Sequence, residues 1–249
     1  LAARPGVGKT AFALNIASNA ARNGHKVMVF SVEMANTQLG ERMMSMTSAV
    51  PLENLRTGRV SPDEWDSISD AMDTFENCDL VIDESSGITP MEIKNKCRRF
   101  IAERGGLDLV IIDYLQLMNM GGFKTEQREK EIGALTRSIK ILAKELNVAV
   151  ILLSQLSRGP EQRAGHKPQL SDLRDSGSIE QDADIVIFLR RDDYYAEKTE
   201  EANTNPAEGL TCTVDIAKHR NGATGLALLA WIPKYTKFGN LAYTPEGEY

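Results

Sequence analysis

The sequence opens on a glycine-rich stretch, Ala3-Arg4-Pro5-Gly6-Val7-Gly8-Lys9-Thr10, which a helical pattern follows at once. Such a loop can point backbone N–H groups at a phosphate, set a lysine ammonium against the terminal phosphates and offer a hydroxyl to Mg²⁺. The helix adds its positive N-terminal end. We therefore predict that the segment from Arg4 to Thr10 binds a nucleoside triphosphate. The alternative is a chance Gly-Lys-Thr at a strand–helix turn.

Polar residues also close three apolar runs that are typical of buried strands. Glu33 follows the run 26–31, Asp113 ends the run 107–113, and Gln155 follows the run 148–153. In open α/β sheets, ligands bind beyond the carboxyl ends of the strands. We therefore expect all three side chains to lie near Lys9 and Thr10.

Each of these residues has a predicted role and an alternative. Asp113 is the candidate Walker B carboxylate, which would hold Mg²⁺ together with Thr10; alone, it would be an ordinary strand exit. Glu33 is the candidate base that orients and polarises the attacking water, or else a helix N-terminal acid near Asn36. Gln155 is a candidate γ-phosphate sensor, because an amide can donate and accept hydrogen bonds, or else a polar strand cap.

Two cations stand at a predicted hairpin near the C-terminal end, in the segment Lys218-His219-Arg220-Asn221-Gly222. An arginine supplied as a finger, often from a neighbouring subunit, stabilises charge on a transferring phosphoryl group. Asn-Gly suits a tight turn that would project these side chains. Composition alone would favour the alternative, exposed hairpin charge.

Length and composition indicate an ordinary globular protein. The 249 residues suit one α/β domain over 1–249, and the net charge of −6 argues against a surface that coats nucleic acid non-specifically. The three cysteines are too few and too scattered for a disulfide framework or a zinc site. No apolar run is long enough to span a membrane, so we expect a cytoplasmic protein. Only Leu1 and Ala2 precede the glycine-rich loop, so we expect a fragment of a longer chain.

Patterns along the chain predict helices that alternate with strands, followed by strands alone. The predicted helices cover 9–22, 38–48, 62–75, 89–103 and 126–146, and the predicted strands cover 26–31, 80–83, 107–114, 148–153, 184–189, 210–217, 226–231 and 237–242. This order predicts an α/β fold with a mostly parallel central sheet flanked by helices and an antiparallel hairpin extension at the C-terminal end.

Together these residues resemble a known family, the C-terminal motor domain of bacterial replicative DNA helicases of the DnaB type, within the RecA-like ATPases. The resemblance rests on residues 3–10, 30–34, 110–117, 153–158, 171–184 (SDLRDSGSIEQDAD) and 218–222 (KHRNG). The last two segments are far more specific than the phosphate loop. The departures are Ala3, where glycine is usual, and Gly6-Val7, where Ser-Met is commoner; neither removes a phosphate-contacting side chain.

The resemblance implies a RecA-like P-loop NTPase that assembles as a ring-shaped homo-hexamer with ATP at each subunit interface. Lys218 and Arg220 would reach the γ-phosphate of the neighbour's ATP, and Arg42 would contact the same phosphate from within its own subunit. The ring would move 5′ to 3′ on single-stranded DNA and unwind the duplex at a replication fork. Its partners would include primase and a helicase loader, as in a primosome.

The resemblance also implies that loops including Arg174, Asp175 and Gly177 hold the DNA strand in the central channel. Such a protein needs cationic and N–H donors only at the pore, so the negative net charge is compatible with it. Two other functions stay open from the sequence: a RecA-like recombinase that forms filaments on DNA, and an interaction module that binds ATP without hydrolysing it.

Overall fold

The computed structural model describes residues 1–85, 87–113, 115, 118, 128–173, 177–191, 193–194 and 210–241. The strands are β1 (Ala2–Ala3), β2 (Val27–Ser31), β3 (Leu80–Glu84), β4 (Leu109–Asp113), β5 (Ala149–Leu152), β6 (Ser154–Gln155), β7 (Ile185–Arg191), β8 (Leu210–His219), β9 (Gly225–Ile232) and β10 (Lys237–Asn240). The α-helices are α1 (Lys9–Arg22), α2 (Asn36–Ser48), α3 (Leu52–Thr57), α4 (Pro62–Glu76), α5 (Pro90–Arg104), α6 (Arg128–Leu146) and α7 (Gly177–Asp182).

The strands form two hydrogen-bonded groups that share one stretch of chain. The first has the order β3-β2-β4-β5, and the second has the order β10-β9-β8-β7-β1-β6. Because β5 and β6 are separated by Leu153 alone, residues 149–155 pair first with β4 and then with β1. The pairs among β1 to β7 are parallel, whereas β7–β8, β8–β9 and β9–β10 are antiparallel. The predicted α/β architecture is therefore confirmed.

The central strands are buried on both faces, which explains their continuous apolar runs. Every residue of β2 and of β4 is buried. Helices cover the sheet, and the apolar residues of α6 that recur at three and four positions, Ile132, Leu135, Ile139 and Leu142, lie in the main core. Met43 and Met46 of α2 pack against Leu14 of α1 in a smaller core.

Two helices begin with a complete capping box, which fixes their start points. Ser61 accepts a hydrogen bond from the backbone N–H of Glu64, and the Glu64 carboxylate accepts one from the backbone N–H of Ser61. Thr89 and Glu92 do the same for α5, and both helices have proline near the first position. The Ser61 start predicted from the sequence is confirmed.

The C-terminal antiparallel strands pack back onto the first helix. The ring of Phe238 in β10 meets the ring of Phe12 in α1 edge-to-face at 5.2 Å between centroids. The side-chain oxygen of buried Asn15, also in α1, accepts a hydrogen bond from the backbone N–H of Phe238 at 3.3 Å. The end of the described chain is thereby fixed beside the glycine-rich loop.

The structure corrects some details of the predicted elements. It adds two short helices, α3 and α7, because six-residue helices show too little periodicity to be recognised. The predicted hairpin between β8 and β9 is present, with a turn at Arg220 and Asn221, but its link is five residues long, 220–224, rather than a tight Asn-Gly turn. Gly222 instead serves a close approach, because a Cβ there would lie 2.3 Å from the His219 ring. Within the described ranges, no helix combines the length and the hydrophobicity needed to span a bilayer.

Candidate active site

The glycine-rich loop joins β1 to α1 and needs glycine at two positions. Gly6 has a φ of +82° and Gly8, the residue before α1, has a φ of +110°. Both values lie where a side chain is disfavoured. A Cβ on Gly8 would also lie 3.1 Å from the Phe238 ring, and one on Gly6 would lie 3.1 Å from the Tyr194 ring. The loop therefore combines positive φ angles at both glycines with close packing against Phe238 and Tyr194.

Thr10 and Asp113 meet at the predicted metal position. The Thr10 hydroxyl donates to Asp113 Oδ2 at 2.6 Å, and Lys9 Nζ lies 3.6 Å from Asp113 Oδ1. Asp113 is only 2% exposed, and its Oδ1 atom accepts no hydrogen bond within the described residues. A carboxylate oxygen and a hydroxyl oxygen are ligands that Mg²⁺ prefers, usually with waters and phosphate oxygens completing its shell. The residues therefore fit a magnesium ion.

The geometry arises because β2 and β4 run in parallel register. Ser31 at the end of β2 pairs with Asp113 at the end of β4, and the Asp113 carbonyl accepts a hydrogen bond from the backbone N–H of Val32 at 2.7 Å. Both strands thus end at the edge where α1 begins. The predicted convergence of the strand ends is observed for this pair.

Burial changes the protonation equilibrium of Lys9. Desolvation lowers the pKa of Lys9 from its usual value of 10.5, while the carboxylates of Asp113 and Glu33 act in the opposite direction. A cation held in a partly desolvated site interacts more strongly with an anion than one in water does. Lys9 is therefore placed to attract a phosphate group.

Glu33 faces the same cleft as the glycine-rich loop. A turn after β2 presents it, and the turn is held by Ser31, whose hydroxyl donates to the Met34 carbonyl at 2.7 Å. The first N–H of α2, that of Asn36, is bound at 2.9 Å by the carboxylate of Glu84. Glu33 is exposed and lines the cleft, so the alternative of a helix-start acid is not the arrangement found.

The cleft has a volume of about 350 Å³ and brings together most of the predicted site residues. Gln155 reaches it from β6, where it pairs with Ala3 of β1 directly before the loop. The cleft is lined by Ala3, Arg4, Pro5, Gly6, Gly8, Lys9, Thr10, Ala11, Glu33, Met34, Arg42, Gln155, Trp231 and Thr236. Val7 is fully buried beneath the loop and does not line the cleft.

Arg42 enters the cleft from α2. Its Nε atom is buried and has no hydrogen-bond partner among the described residues. Desolvation lowers the pKa of Arg42 below its usual value, and the neighbouring Arg56 adds to that effect. A buried donor without a partner costs on the order of 1–3 kcal/mol. An anion bound in the cleft could supply the missing acceptor.

Arg4 lines the cleft but directs its guanidinium to the protein. It donates to the Leu156 carbonyl at 2.8 Å and to the Glu161 carboxylate at 3.0 Å. Both acceptors follow β6, the strand that carries Gln155. Arg4 therefore ties the phosphate loop to the segment after Gln155.

Lys218 and Arg220 lie at the opposite end of the sheet. The phosphate loop follows the carboxyl end of β1, and β7 runs parallel to β1. Lys218 pairs with Val186 and His219 pairs with Ile185 at the start of β7, so the two cations lie at the amino ends of these parallel strands. In this chain they are therefore remote from its own glycine-rich loop.

Both cations have partners at that end of the sheet. Lys218 Nζ donates to the carbonyl of Ala183 at 2.8 Å and to that of Glu180. The Arg220 guanidinium lies 3.6 Å from the Asp184 carboxylate and its side chain is 62% exposed. Within one chain, Arg220 is an exposed charge at the hairpin, as the alternative interpretation expected. Lys218 is not, because it is bound to the carbonyls around the end of α7.

Two of the predicted DNA-contacting residues, Arg174 and Asp175, lie outside the described residues. Gly177 is the first residue of α7 and is exposed. Across the described ranges, no group of three or more His, Cys, Asp and Glu side chains is arranged to hold a metal ion. Thr10 and Asp113 thus offer two possible metal ligands, rather than a complete coordination shell made of protein side chains.

Sequence reasoning missed the C-terminal wall of the cleft. Trp231 and Thr236 line the cleft together with the phosphate loop, although more than 200 residues of sequence separate them from it. The size and apolar character of the Trp231 ring could indicate that it is buried, but no local signal places Thr236 beside the loop. Their position depends on how the last strands pack on α1.

Comparison with known proteins gives consistent matches. The family described as the DnaB-like helicase C-terminal domain matches residues 1–240. The replicative DNA helicase DnaB of Geobacillus stearothermophilus is 48% identical over 242 residues, which are 97% of this chain and 52% of the relative. The replicative DNA helicase DnaC of Bacillus subtilis (strain 168) shows the same identity and coverage. The chain thus spans about half the length of these relatives.

Solved structures agree with the sequence matches. A DnaB-like replicative helicase, described with its interactions with primase, superposes with a TM-score of 0.88 at 38% identity and covers 96% of this chain and 56% of its own. The ATPase domain of G40P superposes with a TM-score of 0.87 at 39% identity and covers 96% of this chain and 83% of its own.

Proposed function

Because this chain belongs to the DnaB-like helicase C-terminal domain family, we propose that it is the ATP-hydrolysing motor domain of a replicative DNA helicase, over residues 1–249. The observation that supports this most directly is the joint placement of Lys9, Thr10, Asp113 and Glu33 at one cleft. The fold is RecA-like, and nucleotide binding follows from the family. ATP-driven movement on DNA is the part of the proposal that goes beyond the fold and nucleotide binding.

The residues of the cleft have complementary tasks in hydrolysis. Backbone N–H groups of residues 6–10 and the Lys9 ammonium would hold the β- and γ-phosphates. Thr10 and Asp113 would hold Mg²⁺, which neutralises charge on the phosphates when it is bound. Glu33 would orient the attacking water and accept its proton. Gln155, hydrogen-bonding to the γ-phosphate, would change position when that phosphate leaves.

The remote cations support a site that is shared between subunits. Lys218 and Arg220 lie at the sheet end opposite the loop, so they suit the γ-phosphate of a neighbouring copy rather than their own. A head-to-tail ring brings unlike surfaces of adjacent copies together, as such a shared site requires. We therefore propose a homo-hexamer in which each ATP is completed by the next subunit, with Arg42 contributing from the first.

The proposed substrate track is single-stranded DNA in the central channel, held by Arg174, Asp175 and Gly177. Translocation would run 5′ to 3′. One related structure is of a replicative helicase with primase, which supports primase as a partner. A helicase loader and a cytoplasmic location complete the proposal.

The replacement Glu33→Gln tests the catalytic assignment. It keeps the size of the side chain and one acceptor oxygen but removes the base. We expect ATP binding to stay within about twofold of the parent while DNA-stimulated hydrolysis falls by about 10²-fold or more. Isothermal titration with ATP and a phosphate-release assay measure the two quantities. The matched control is Glu76→Gln, on the exposed end of α4.

The outcomes separate the alternatives. Hydrolysis that survives Glu33→Gln would contradict the assigned base. A parent protein that binds ATP without turnover would favour the nucleotide-gated interaction module. A strand-displacement assay on forked DNA, with the protein at its natural length, distinguishes the motor from a recombinase. Efficient strand exchange without unwinding would contradict the helicase proposal.

A further inference from the structure

The candidate base Glu33 lies on a short connection, residues 32–35, that joins β2 to α2. Its side chain is exposed and lines the cleft. An exposed side chain is not fixed by packing, so its position depends on the backbone that carries it. A displacement of about 1 Å at a reacting group can slow an enzyme by about 100-fold. The contacts that hold the 32–35 connection therefore bear on catalysis.

The first half of this connection is bonded to the ends of two neighbouring strands. The N–H of Val32 donates to the carbonyl of Asp113, the last residue of β4, at 2.7 Å. The hydroxyl of Ser31, the last residue of β2, donates to the Met34 carbonyl at 2.7 Å and accepts from the Met34 N–H at 3.2 Å. The backbone on both sides of Glu33 is thereby held.

The second half of the connection ends at the start of α2, and that helix has no cap of its own. Ala35 occupies the N-cap position, with φ −65° and ψ 147°, and has no side-chain acceptor. The first N–H groups of a helix need acceptors, which Ser, Thr, Asp or Asn at the N-cap usually provides. Here the Glu84 carboxylate provides one from β3, because it accepts from the N–H of Asn36 at 2.9 Å. Its negative charge also suits the positive end of the helix.

The position of Glu84 follows from the sheet and from α5. β3 pairs in parallel with β2, and Glu84 is in register with Ser31, so it lies at the edge from which the 32–35 connection leaves. The residues on either side of it are held by one cation: Lys96 Nζ donates to the Asp83 carboxylate at 2.6 Å and to the Ser85 hydroxyl at 2.7 Å. The exposed Glu84 carboxylate is thus placed beside α2.

We propose that Glu84 is a positioning residue for hydrolysis: by capping α2 it fixes the end of the 32–35 connection, and it thereby holds Glu33 where that carboxylate orients the attacking water. The inference rests on the proposed role of Glu33 as the base. Arg42 depends less on this cap, because the buried Leu39 and Met43 anchor α2 in the core. The expected effect is therefore on turnover rather than on ATP binding.

Two replacements of Glu84 test the proposal in the protein at its natural length, by DNA-stimulated phosphate release and by isothermal titration with ATP. Glu84→Ala removes the acceptor and the charge, whereas Glu84→Gln removes the charge and keeps an acceptor oxygen. We expect kcat of Glu84→Ala to fall about fivefold, with an ATP affinity within about twofold of the parent. The kcat of Glu84→Gln should stay within about twofold of the parent.

Glu92 is the matched control. Its exposed carboxylate also accepts a hydrogen bond at the start of a helix, from the N–H of Thr89 at 2.8 Å. The described residues that line the cleft include none from α5. We expect Glu92→Ala to lower the urea midpoint, as Glu84→Ala does, but to leave kcat within about twofold of the parent. An equal fall of kcat in both variants would indicate a general effect of lost helix capping and would overturn the assignment.

Two combinations test whether Glu84 acts through the cap and through Glu33. Ala35→Ser gives α2 a local cap, so Ala35→Ser with Glu84→Ala should restore kcat to within about twofold of the parent. In the Glu33→Gln background, Glu84→Ala should change the remaining hydrolysis by less than about twofold, because the base that it positions is already gone.

The other outcomes separate this inference from the proposed function. Full activity of Glu84→Ala, or no recovery on adding Ala35→Ser, would overturn the role of Glu84 while leaving Glu33 as the base. An undiminished effect of Glu84→Ala in the Glu33→Gln background would also overturn it. Unchanged hydrolysis after Glu33→Gln alone would overturn the proposed base, and this inference with it.

Discussion

At the scale of single residues, the cleft is built from side chains whose hydrogen bonding is incomplete. Asp113 Oδ2 is bonded to Thr10 while Oδ1 is buried without a hydrogen bond in the described structure, and Arg42 Nε is in the same condition. Such atoms are costly in a folded protein unless a ligand completes them. If these residues bind the nucleotide as proposed, they lower the stability of the chain when it is alone, and we expect nucleotide binding to recover that stability.

The cysteines give a contrasting residue-scale prediction. Cys97 is fully buried, and burial, with a smaller effect of Asp83, raises its thiol pKa to about 12. Because the thiolate is the reactive form, Cys97 would be almost entirely in its unreactive thiol form at pH 8. We expect iodoacetamide to modify Cys78, which is partly exposed, while Cys97 and the buried Cys212 react only after denaturation.

Peptide mass spectrometry of the native and the urea-unfolded protein measures this labelling. The variant Cys78→Ser serves as the control and should take up almost no label when native. Rapid native labelling of Cys97 would show that α5 opens from the sheet more readily than its burial indicates.

At the scale of elements, the link between Arg4 and Glu161 joins the phosphate loop to the segment after Gln155. The Arg4 and Glu161 side chains are 11% and 29% exposed, and the nitrogen–oxygen distance is 2.9 Å. Partly buried charge-assisted pairs are stronger than exposed ones. We expect a double-mutant cycle of Arg4→Ala and Glu161→Ala to give a coupling of about 1 kcal/mol in the free energy of unfolding.

The exposed pair Arg56–Glu41, with side chains 46% and 38% exposed, is the matched control and should show less coupling. Urea unfolding of the single and double variants measures both cycles. Equal coupling energies for the two pairs would contradict this prediction. The Arg4–Glu161 pair would then stabilise the protein no more than an exposed ion pair does.

Sequence reasoning succeeded at this scale where local pattern and sheet geometry act together. Thr10 and Asp113 could be paired in advance because a glycine-rich loop and an acid after an apolar strand must meet at the carboxyl edge of a parallel sheet. Trp231 and Thr236 could not be assigned to the cleft, because antiparallel strands can pack in several ways and their position depends on contacts with Phe12 and Asn15. The hydrogen bonds of Lys218 could not be predicted either. Their acceptors are backbone carbonyls, which every residue has, so the residue types give no signal for them.

At the scale of the whole molecule, the proposed catalysis by two adjacent subunits gives a complementation prediction. Lys9→Ala removes a subunit's own phosphate site, and Arg220→Ala removes its contribution to the neighbour. In mixed rings, an Arg220→Ala site beside a Lys9→Ala subunit has all its parts. We expect the mixture to recover hydrolysis that neither variant shows alone, after subunit sharing has been demonstrated by energy transfer between labelled subunits.

The control mixture is Lys9→Ala with Glu33→Gln, in which both lesions affect the same cleft and no interface is complete. Activity of the first mixture equal to that of either variant alone would count against catalysis between subunits. For Lys218 to take part, its ammonium must exchange the carbonyls of Glu180 and Ala183 for a phosphate of the neighbour. That exchange would loosen the end of α7.

The stretch 149–155 has a consequence for how the protein unfolds. It pairs with β4, which carries Asp113, and then with β1, which leads into the phosphate loop. The N–H of Leu153 bonds to Ile112 in one group of strands, and the N–H of Ser154 bonds to Leu1 in the other, at 3.0 and 2.9 Å. This one segment is thus hydrogen-bonded to both groups of strands. We therefore expect the two groups to unfold together, as a single cooperative unit with the cleft at their junction.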